Sequence, residues 1–384
     1  MAKFRNFSRR LFVISNIVAV TLFLLACANS FLHPGRWWFI SLLGLVFPLL
    51  LLLVLALFIF GLFFRSCRRW SLLSLAALIL GWPNIHSFWG FHPGQHFHFQ
   101  QEKPAGSLRV LTWNCRSFDE FITKKKGSSG HRSKMLDFID EQDADVVCLQ
   151  EFYNARKGQD TNLVYIRDRL NYPYCYFSRD VARLDGSYES GVVIFSRYPF
   201  TDSLILHYPQ QSMLRATESL IAVDIKVGKD TIRVFTTHLQ SVLFKSKDFR
   251  DIQIIKNVDD SILTASRSIA KKLRYAFRQR GDQAEQVRAQ LDKSPYPAFI
   301  CGDFNDVPNS YTYFTIRGNW NDAYIAKGFG IGRTYVYISP TLRIDYILAD
   351  PRLPVLQCRK FSLPYSDHNP VMADLQLSDT TSAR

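Results

Sequence analysis

The stretch ICGDFNDVPNS (residues 300–310) decides how this chain is read. It starts as an apolar run of the kind that forms a buried strand and then, directly after Gly302, presents Asp303, Asn305 and Asp306. Small acids and amides at a strand end also make turns and helix caps, so the stretch alone allows a turn or a site. Gly302 leaves room for close approach of another group. Asp303 and Asn305, two apart in an extended segment, would point to the same side. One could then hold an attacking water while the other donates to a phosphate.

The pattern recurs along the chain. Strand-like runs end in Asn114 (LRVLTWN), in Gln150 and Glu151 (ADVVCLQEF) and in His238 (TIRVFTTHL). Asp345 opens RIDYILA, and Asp367 and His368 stand just before NPVMADLQL. A fold that aligns strand ends at one rim gathers such residues into one pocket. The set is rich in oxygen and free of thiolates, which suits a hard cation: Mg²⁺, with Mn²⁺ as the alternative. Phosphodiester hydrolysis needs these parts: a metal against developing charge, a carboxylate for the water, and an imidazole for the phosphoryl oxygens or the leaving group.

From Leu108 onward, short strand-like runs alternate with helix-like ones, which predicts a mixed α/β domain. HRSKMLDFIDEQ reads as a helix with Met135, Phe138 and Ile139 on one side, and the region from Ser246 to Leu291 reads as helical too. Within that region SRSIAKKLRYAFRQR sets Ile269, Leu273, Ala276 and Phe277 at helical spacing among Arg267, Lys271, Lys272, Arg274, Arg278 and Arg280. Such a basic amphipathic helix fits an anionic membrane surface, a polyanionic substrate, or plain surface packing.

Six motifs, LTWNC, LQEF, TTHLQS, CGDFND, RIDYIL and SDHNPV, occur in the order and approximate spacing of the endonuclease/exonuclease/phosphatase superfamily, the DNase-I-like hydrolases. Over residues 108–378 the chain resembles that superfamily, as a membrane-anchored, bacterial-type member. The resemblance implies a four-layer α/β sandwich: two mixed β-sheets packed face to face, with helices outside. It implies that Asn114 and Glu151 hold the divalent metal, with Asp367 assisting on the metal or phosphate side. Asp303 and Asn305 would position or activate water and contact phosphate. His238 and His368 would stabilise phosphate or act as acid and base, with Asp345 orienting His368. Gln150 carries over less directly. Arg215, Glu189 and Tyr188 lie where such enzymes place substrate contacts.

The amino-terminal part has a different composition. The first acidic residue is Glu102; eight Lys and Arg precede it, so this segment carries +8 of the formal net charge of +14. Basicity therefore says little about nucleic acid. Three apolar runs fill the segment, at 11–32, 38–64 and 70–88, against the roughly 20 residues a crossing needs. The third is strongly apolar only to Trp82, before Pro83 and Asn84, and reads as a span or a re-entrant segment. Lys3, Arg5, Arg9 and Arg10 precede the first run, Arg65, Arg68 and Arg69 follow the second, and only Arg36 lies between them. The positive-inside bias then puts the amino terminus in the cytoplasm. With three spans the large domain emerges outside; with two it stays inside.

The expected organisation is a membrane anchor over 1–91, a linker over 92–107, a catalytic domain over 108–378 and a tail over 379–384. His96 and His98 belong to the linker and read as a tether rather than a metal site. The seven cysteines form no disulfide framework and no zinc spacing. For substrate, a nuclease and a phosphodiesterase of phospholipid or sphingolipid head groups both stay open. WN is followed by Cys115, Arg116 and Ser117 rather than the glycine-leucine-arginine of abasic-site repair enzymes, and the inositol polyphosphate phosphatase signature is absent from the sequence. A membrane sensor on a retired hydrolase fold is the non-enzymatic alternative.

Overall fold

Strand β1 (Ser107–Asn114) is buried along its whole length, and its alternation explains the architecture around it. Leu108 and Val110 face one apolar cluster, while Leu111 and Trp113 face another. A strand buried on both faces belongs between two layers. The computed structural model describes residues 2–94, 99–120, 130–156, 161–183, 185–209, 218–242, 248 and 262–377. His96, His98, Arg215 and the tail 379–384 lie outside the described residues.

The chain divides into two compact units: Met1–Phe88 with Ser241–Ala284 and Asp306–Thr315, and Trp89–Gln240 with Glu285–Asn305 and Ile316–Arg384.

The second unit holds two mixed sheets. In one, β1 runs parallel to β2 (Val146–Ala155) and antiparallel to a late strand, giving an order that is completed by β3 (Tyr174–Phe177) and β4 (Tyr188–Ser196). The other contains β5 (Phe200–His207), β6 (Ser219–Val227), β7 (Asp230–His238), β8 (Ala298–Asp303), β9 (Asn321–Asp322) and β10 (Asp345–Ala349), in the order β9-β10-β8-β7-β6-β5. Strands β11 (Val355–Lys360) and β12 (Val371–Gln376) complete the first sheet as β11-β12-β1-β2-β4-β3. The parallel β1–β2 step needs a crossover, and helix Arg132–Glu141 lies in it, burying Met135, Phe138 and Ile139 as its spacing predicts.

Between the sheets, Leu108, Val110, Val146, Cys148, Val192 and Ile194 meet Ile221, Val223, Val234, Phe299, Cys301 and Ile347 in one apolar cluster. Part of the expected linker is built into this unit. Phe99 lies under the guanidinium groups of Arg109 and Arg359, Gln100 exchanges hydrogen bonds with Gln357, and Lys103 pairs with Asp145 at 2.7 Å.

In the first unit, helix α1 (Ala2–Ala28) is followed by α2 (Pro34–Leu45), α3 (Phe47–Phe63), α4 (Arg68–Leu80) and α5 (Trp82–Phe88). Among the described residues, Phe7–Ala28 is the one stretch of helix that is long and apolar enough to cross a membrane by itself. The second and third apolar runs are each broken, α2 from α3 by a 58° bend and α4 from α5 by 62°. Pro48 and Pro83 cause this: each stands in the first turn of the later helix, where a missing N–H is tolerated but the preceding helix cannot continue.

Contacts among these helices pair opposite ends. Near the start of α1, Phe12 meets Phe60, and Asn16 hydrogen-bonds Ser74 and the Trp70 carbonyl. Near its end, Phe23 stacks on Phe47 and Asn84 donates to the Cys27 carbonyl. Helix α6 (Ile262–Leu291) is the expected basic helix, and in this unit it buries Arg280 against Asp306, 3.2 Å away.

Candidate active site

The inner faces of the two sheets continue into the site. The row Leu108, Val110, Thr112, Asn114 on β1 alternates as one face, as do Val146, Cys148, Gln150 on β2 and Phe299, Cys301, Asp303 on β8. Where the apolar cluster ends, a polar layer begins: the Gln150 amide donates to Thr112 (3.2 Å) and Thr236 (3.0 Å). Beyond that layer stand the acids, the amide and the imidazoles. Strand register sets them side by side. Asp303 on the central strand β8 has His238 as its neighbour on one side and Asp345 on the other.

The hydrogen bonds form a connected set. Asn114 Nδ2 donates to Asp303 Oδ2 at 3.0 Å and to Glu151 Oε1 at 3.2 Å, so one amide joins two carboxylates from opposite sheets. His368 Nε2 and His238 Nε2 each stand 3.7 Å from Asp303 Oδ2. On its far side His368 Nδ1 meets Asp345 Oδ2 at 2.9 Å. Asp367 points away from this line to Arg116, 3.5 Å distant. The eight residues given metal or catalytic roles in the sequence thus lie in this unit, and seven of them, all but Asp367, are linked directly.

One local expectation changes. Asn305 does not continue an extended segment. Its φ is +53°, its backbone N–H donates to Asp303 Oδ1 at 2.8 Å, and its side chain donates to the Leu239 carbonyl at 3.0 Å. The chain turns because Asp303 caps it. The close approach expected at Gly302 is that of the neighbouring strand's backbone: a Cβ there would stand 2.1 Å from the Thr237 carbonyl, and its φ is +136°. Asp306, the third polar residue of the opening stretch, belongs to the first unit, where it accepts from Thr312 and Arg280.

The electrostatics divide the site. Burial raises the Asp303 carboxyl above the usual carboxylate range; Asp345 adds to this, against His368, His238 and the Asn114 amide. Burial alone would lower the His368 pKa, but Asp345 and Asp303 outweigh it and raise the imidazole from 6.5 to about 10. Burial also raises Asp367. His368 is therefore a held cation, in a site where the neighbouring acid is easily protonated.

Asp303, Asp345 and His368 bring ligand atoms within 4.8 Å of one another, close enough to hold a metal ion. An imidazole must be neutral to ligate, which disfavours this trio. The Asn114 and Glu151 side fits a hard cation better. It carries amide and carboxylate oxygens: Glu151 Oε1 and Asp303 Oδ2 converge on Asn114 Nδ2, Asn114 Oδ1 accepts from the Arg116 N–H at 3.1 Å, and half-buried Glu151 has a left-handed backbone, φ +50°. The adjacent Cys115 thiol donates to the Gln150 carbonyl at 3.3 Å and is pushed well above its ordinary pKa by burial, so it offers no thiolate.

Several supporting residues went unread in the sequence. Ser366 donates to the Asn114 carbonyl and accepts from the His368 N–H. Trp113 Nε1 donates to the His368 carbonyl at 2.8 Å. Thr334 Oγ1 accepts from the Asp345 N–H, and the Tyr335 ring packs 5.0 Å from the His368 ring. Ser366 and Trp113 sit inside the motifs and could have been found there; Thr334 and Tyr335 lie in an irregular loop with no periodic signal. Arg116 to Asp119 have φ of 45° to 60° although none is glycine. Glu189 is engaged by Arg156 and Arg179, and Tyr188 packs on Tyr153.

The sequence model of the Endonuclease/Exonuclease/phosphatase family matches residues 111–368, and the chain belongs to that family. A second model, for a domain of unknown function, matches residues 9–88. No curated protein matches the chain. Among solved structures it is similar to an endonuclease/exonuclease/phosphatase from Beutenbergia cavernae, with 21% identity and a TM-score of 0.48 over 71% of this chain and 72% of that one. It is similar to the human Nocturnin catalytic domain with bound sulfate, with 18% identity and a TM-score of 0.47 over 71% and 96%. For D. rerio TDP2 with a single-stranded DNA product the identity is 15% and the TM-score 0.47, over 71% and 99%.

Proposed function

We propose that this protein is a membrane-tethered, divalent-metal-dependent phosphodiesterase that directs water at phosphorus. The observation that carries the reading is the Asn114 amide shared between Glu151 and Asp303, with His368 and Asp345 lined up behind Asp303. Asn114 and Glu151, with Asp367 assisting, would hold Mg²⁺ or Mn²⁺, which would supply charge neutralisation at the phosphoryl oxygens. Asp303, whose proton affinity burial raises, accepts the proton of the attacking water. Asn305 fixes the Asp303 carboxylate through its backbone N–H. His368, kept protonated by Asp345 and Asp303, donates to a non-bridging phosphoryl oxygen, and His238 lines the opposite flank of Asp303. Dependence on a preorganised cation and fixed donors is what phosphoryl transfer requires of a protein.

The substrate is a phosphodiester of nucleic acid or of a lipid head group. The second choice is favoured by one feature: Asp306–Thr315, which follows Asn305 directly in the chain, is gathered with the amino-terminal helices. There Ser87 donates to the Pro308 carbonyl and Asn29 to the Asn309 carbonyl. For the membrane part, α1 and the two bent pairs act as three crossings, with the catalytic domain outside. The reading is supported by the pairing of α1's start with α3's end and α4's start, and of α1's end with α3's start and α5.

The test uses full-length protein in detergent with a chromogenic phosphodiester, a supercoiled plasmid and phospholipid vesicles. Hydrolysis that a chelator abolishes, that Mg²⁺ or Mn²⁺ restores and that His368→Ala lacks is expected. Folded protein that hydrolyses none of these with either cation refutes the reading; plasmid nicking against head-group release decides the substrate. A reporter active only outside the cytoplasm, fused after Arg384, tests the topology, and a silent, well-expressed fusion overturns it.

A further inference from the structure

Four cations of α6, Arg267, Lys271, Arg274 and Arg278, fall on one face of the helix by their spacing, and all four are exposed. The opposite face, with Ile269, Ala276 and Phe277, is buried. Further along the same exposed face, α6 meets the turn that joins α1 to α2. Gly281 lies so close to Pro34 that a Cβ would stand 2.7 Å from its ring. His33 Nε2 reaches Asp282 at 3.4 Å, and the Arg274 guanidinium lies 5.5 Å over the Trp38 ring.

That turn closes the apolar helix α1 and carries exposed Phe31, and the start of α2 that follows it exposes Trp37 and Phe39. Exposed tryptophan at the end of an apolar helix belongs at the level of lipid head groups. The cationic stripe therefore runs along the face that meets the interfacial turn, and the acid on that face, Asp282, is taken up by His33.

We propose that Arg267, Lys271, Arg274 and Arg278 form a binding surface for the phosphate groups of anionic bilayer lipids. This rests on the reading of the amino-terminal helices as membrane-crossing. Charge complementarity selects the occupant: a basic stripe beside an interfacial aromatic turn draws anionic lipid at about fivefold per cation, and Arg274 is fixed in place by its ring partner. Bound head groups would hold α6 flat against the bilayer.

The experiment reconstitutes the full chain and an Arg267→Gln/Lys271→Gln/Arg278→Gln variant in an equimolar bilayer of phosphatidylcholine and phosphatidylglycerol. Lipid retained after gentle extraction is then quantified. The three positions are exposed, and glutamine preserves helix propensity. The expected result is several-fold enrichment of phosphatidylglycerol on the parent at low salt, lost at high salt and lost in the variant. Equal lipid ratios on both proteins overturn the proposal. So does a fluorescent single-stranded oligonucleotide that binds the parent in neutral bilayers and not the variant while lipid ratios stay equal, which would assign the stripe to nucleic acid. Alkaline extraction of the full chain from membranes would instead refute the crossing reading, independently of lipid selectivity.

Discussion

His368 Nδ1 lies 2.9 Å from Asp345 Oδ2, while the other ring nitrogen faces Asp303 Oδ2 at 3.7 Å. One imidazole is thus held between two buried carboxylates, which fixes its ring and keeps it protonated.

Replacing Asp345 by Asn should keep the ring's neighbour in shape and remove its charge. We expect turnover to fall by on the order of 10² or more. The His368 pKa should move down from about 10, so that activity is lost at lower pH on the alkaline side. A pH profile of kcat/KM checks this; an unchanged alkaline limb would refute the role of Asp345.

The same pair predicts a pH-dependent stability. The folded His368 pKa is raised from 6.5 to about 10, so its stabilising contribution is complete below pH 6.5 and disappears as pH rises through about 10. Thermal melts of metal-free protein should show this loss, and His368→Gln should lack it.

For Asp303 the pH dependence has the same sign, but here the charged form is the costly one. Its folded pKa is raised by burial, so its contribution to stability is complete below the unfolded value of 3.8 and is lost as pH rises through the raised folded value, which leaves the ionised carboxylate a cost at neutral pH. Asp303→Asn should therefore raise the melting temperature at neutral pH while lowering turnover by on the order of 10³. Near-normal turnover with an unchanged metal requirement would end the assignment of Asp303.

Gly302→Ala should destabilise the second unit by about 3 kcal/mol or more, because the added Cβ would stand 2.1 Å from the Thr237 carbonyl at a φ of +136°. Chemical denaturation of the full chain, followed by the fluorescence of the domain, reads this directly.

In the first unit the Arg280–Asp306 pair is buried on both sides. Asp306→Leu alone should cost about 3–5 kcal/mol, since it removes the anionic partner of a buried guanidinium, whereas Arg280→Met with Asp306→Leu should recover most of that loss. A double mutant as unstable as the single one would show that Arg280 serves through other contacts.

Much of this was legible in the sequence because strand alternation is local. Asn114, Gln150 and Asp303 are the polar ends of inner-face rows whose apolar members, such as Val110, Cys148 and Cys301, are visible two or four residues earlier. The six motifs added order and spacing. What was misread depended on backbone choices that alternation does not encode. Asn305 is left-handed because it turns back to the Asp303 carboxylate. The second apolar run was read as continuous because hydropathy ignores the consequence of Pro48, whereas Pro83 already marked the third as a span or a re-entrant segment. The basic helix was read as amphipathic, but its face toward the α1–α2 turn is set by residues more than two hundred positions away.

By itself the sequence determined which residues could form the site, the mixed α/β class and the apolar amino-terminal segment, since each follows from residue type and short-range period. Only the tertiary structure decided which atoms meet. Asn114 reaches Glu151 and Asp303 because two sheets pack face to face with their polar strand ends at one rim. His368 is held as a cation because burial strengthens its attraction to Asp345 and Asp303 beyond the cost of removing its charge from water.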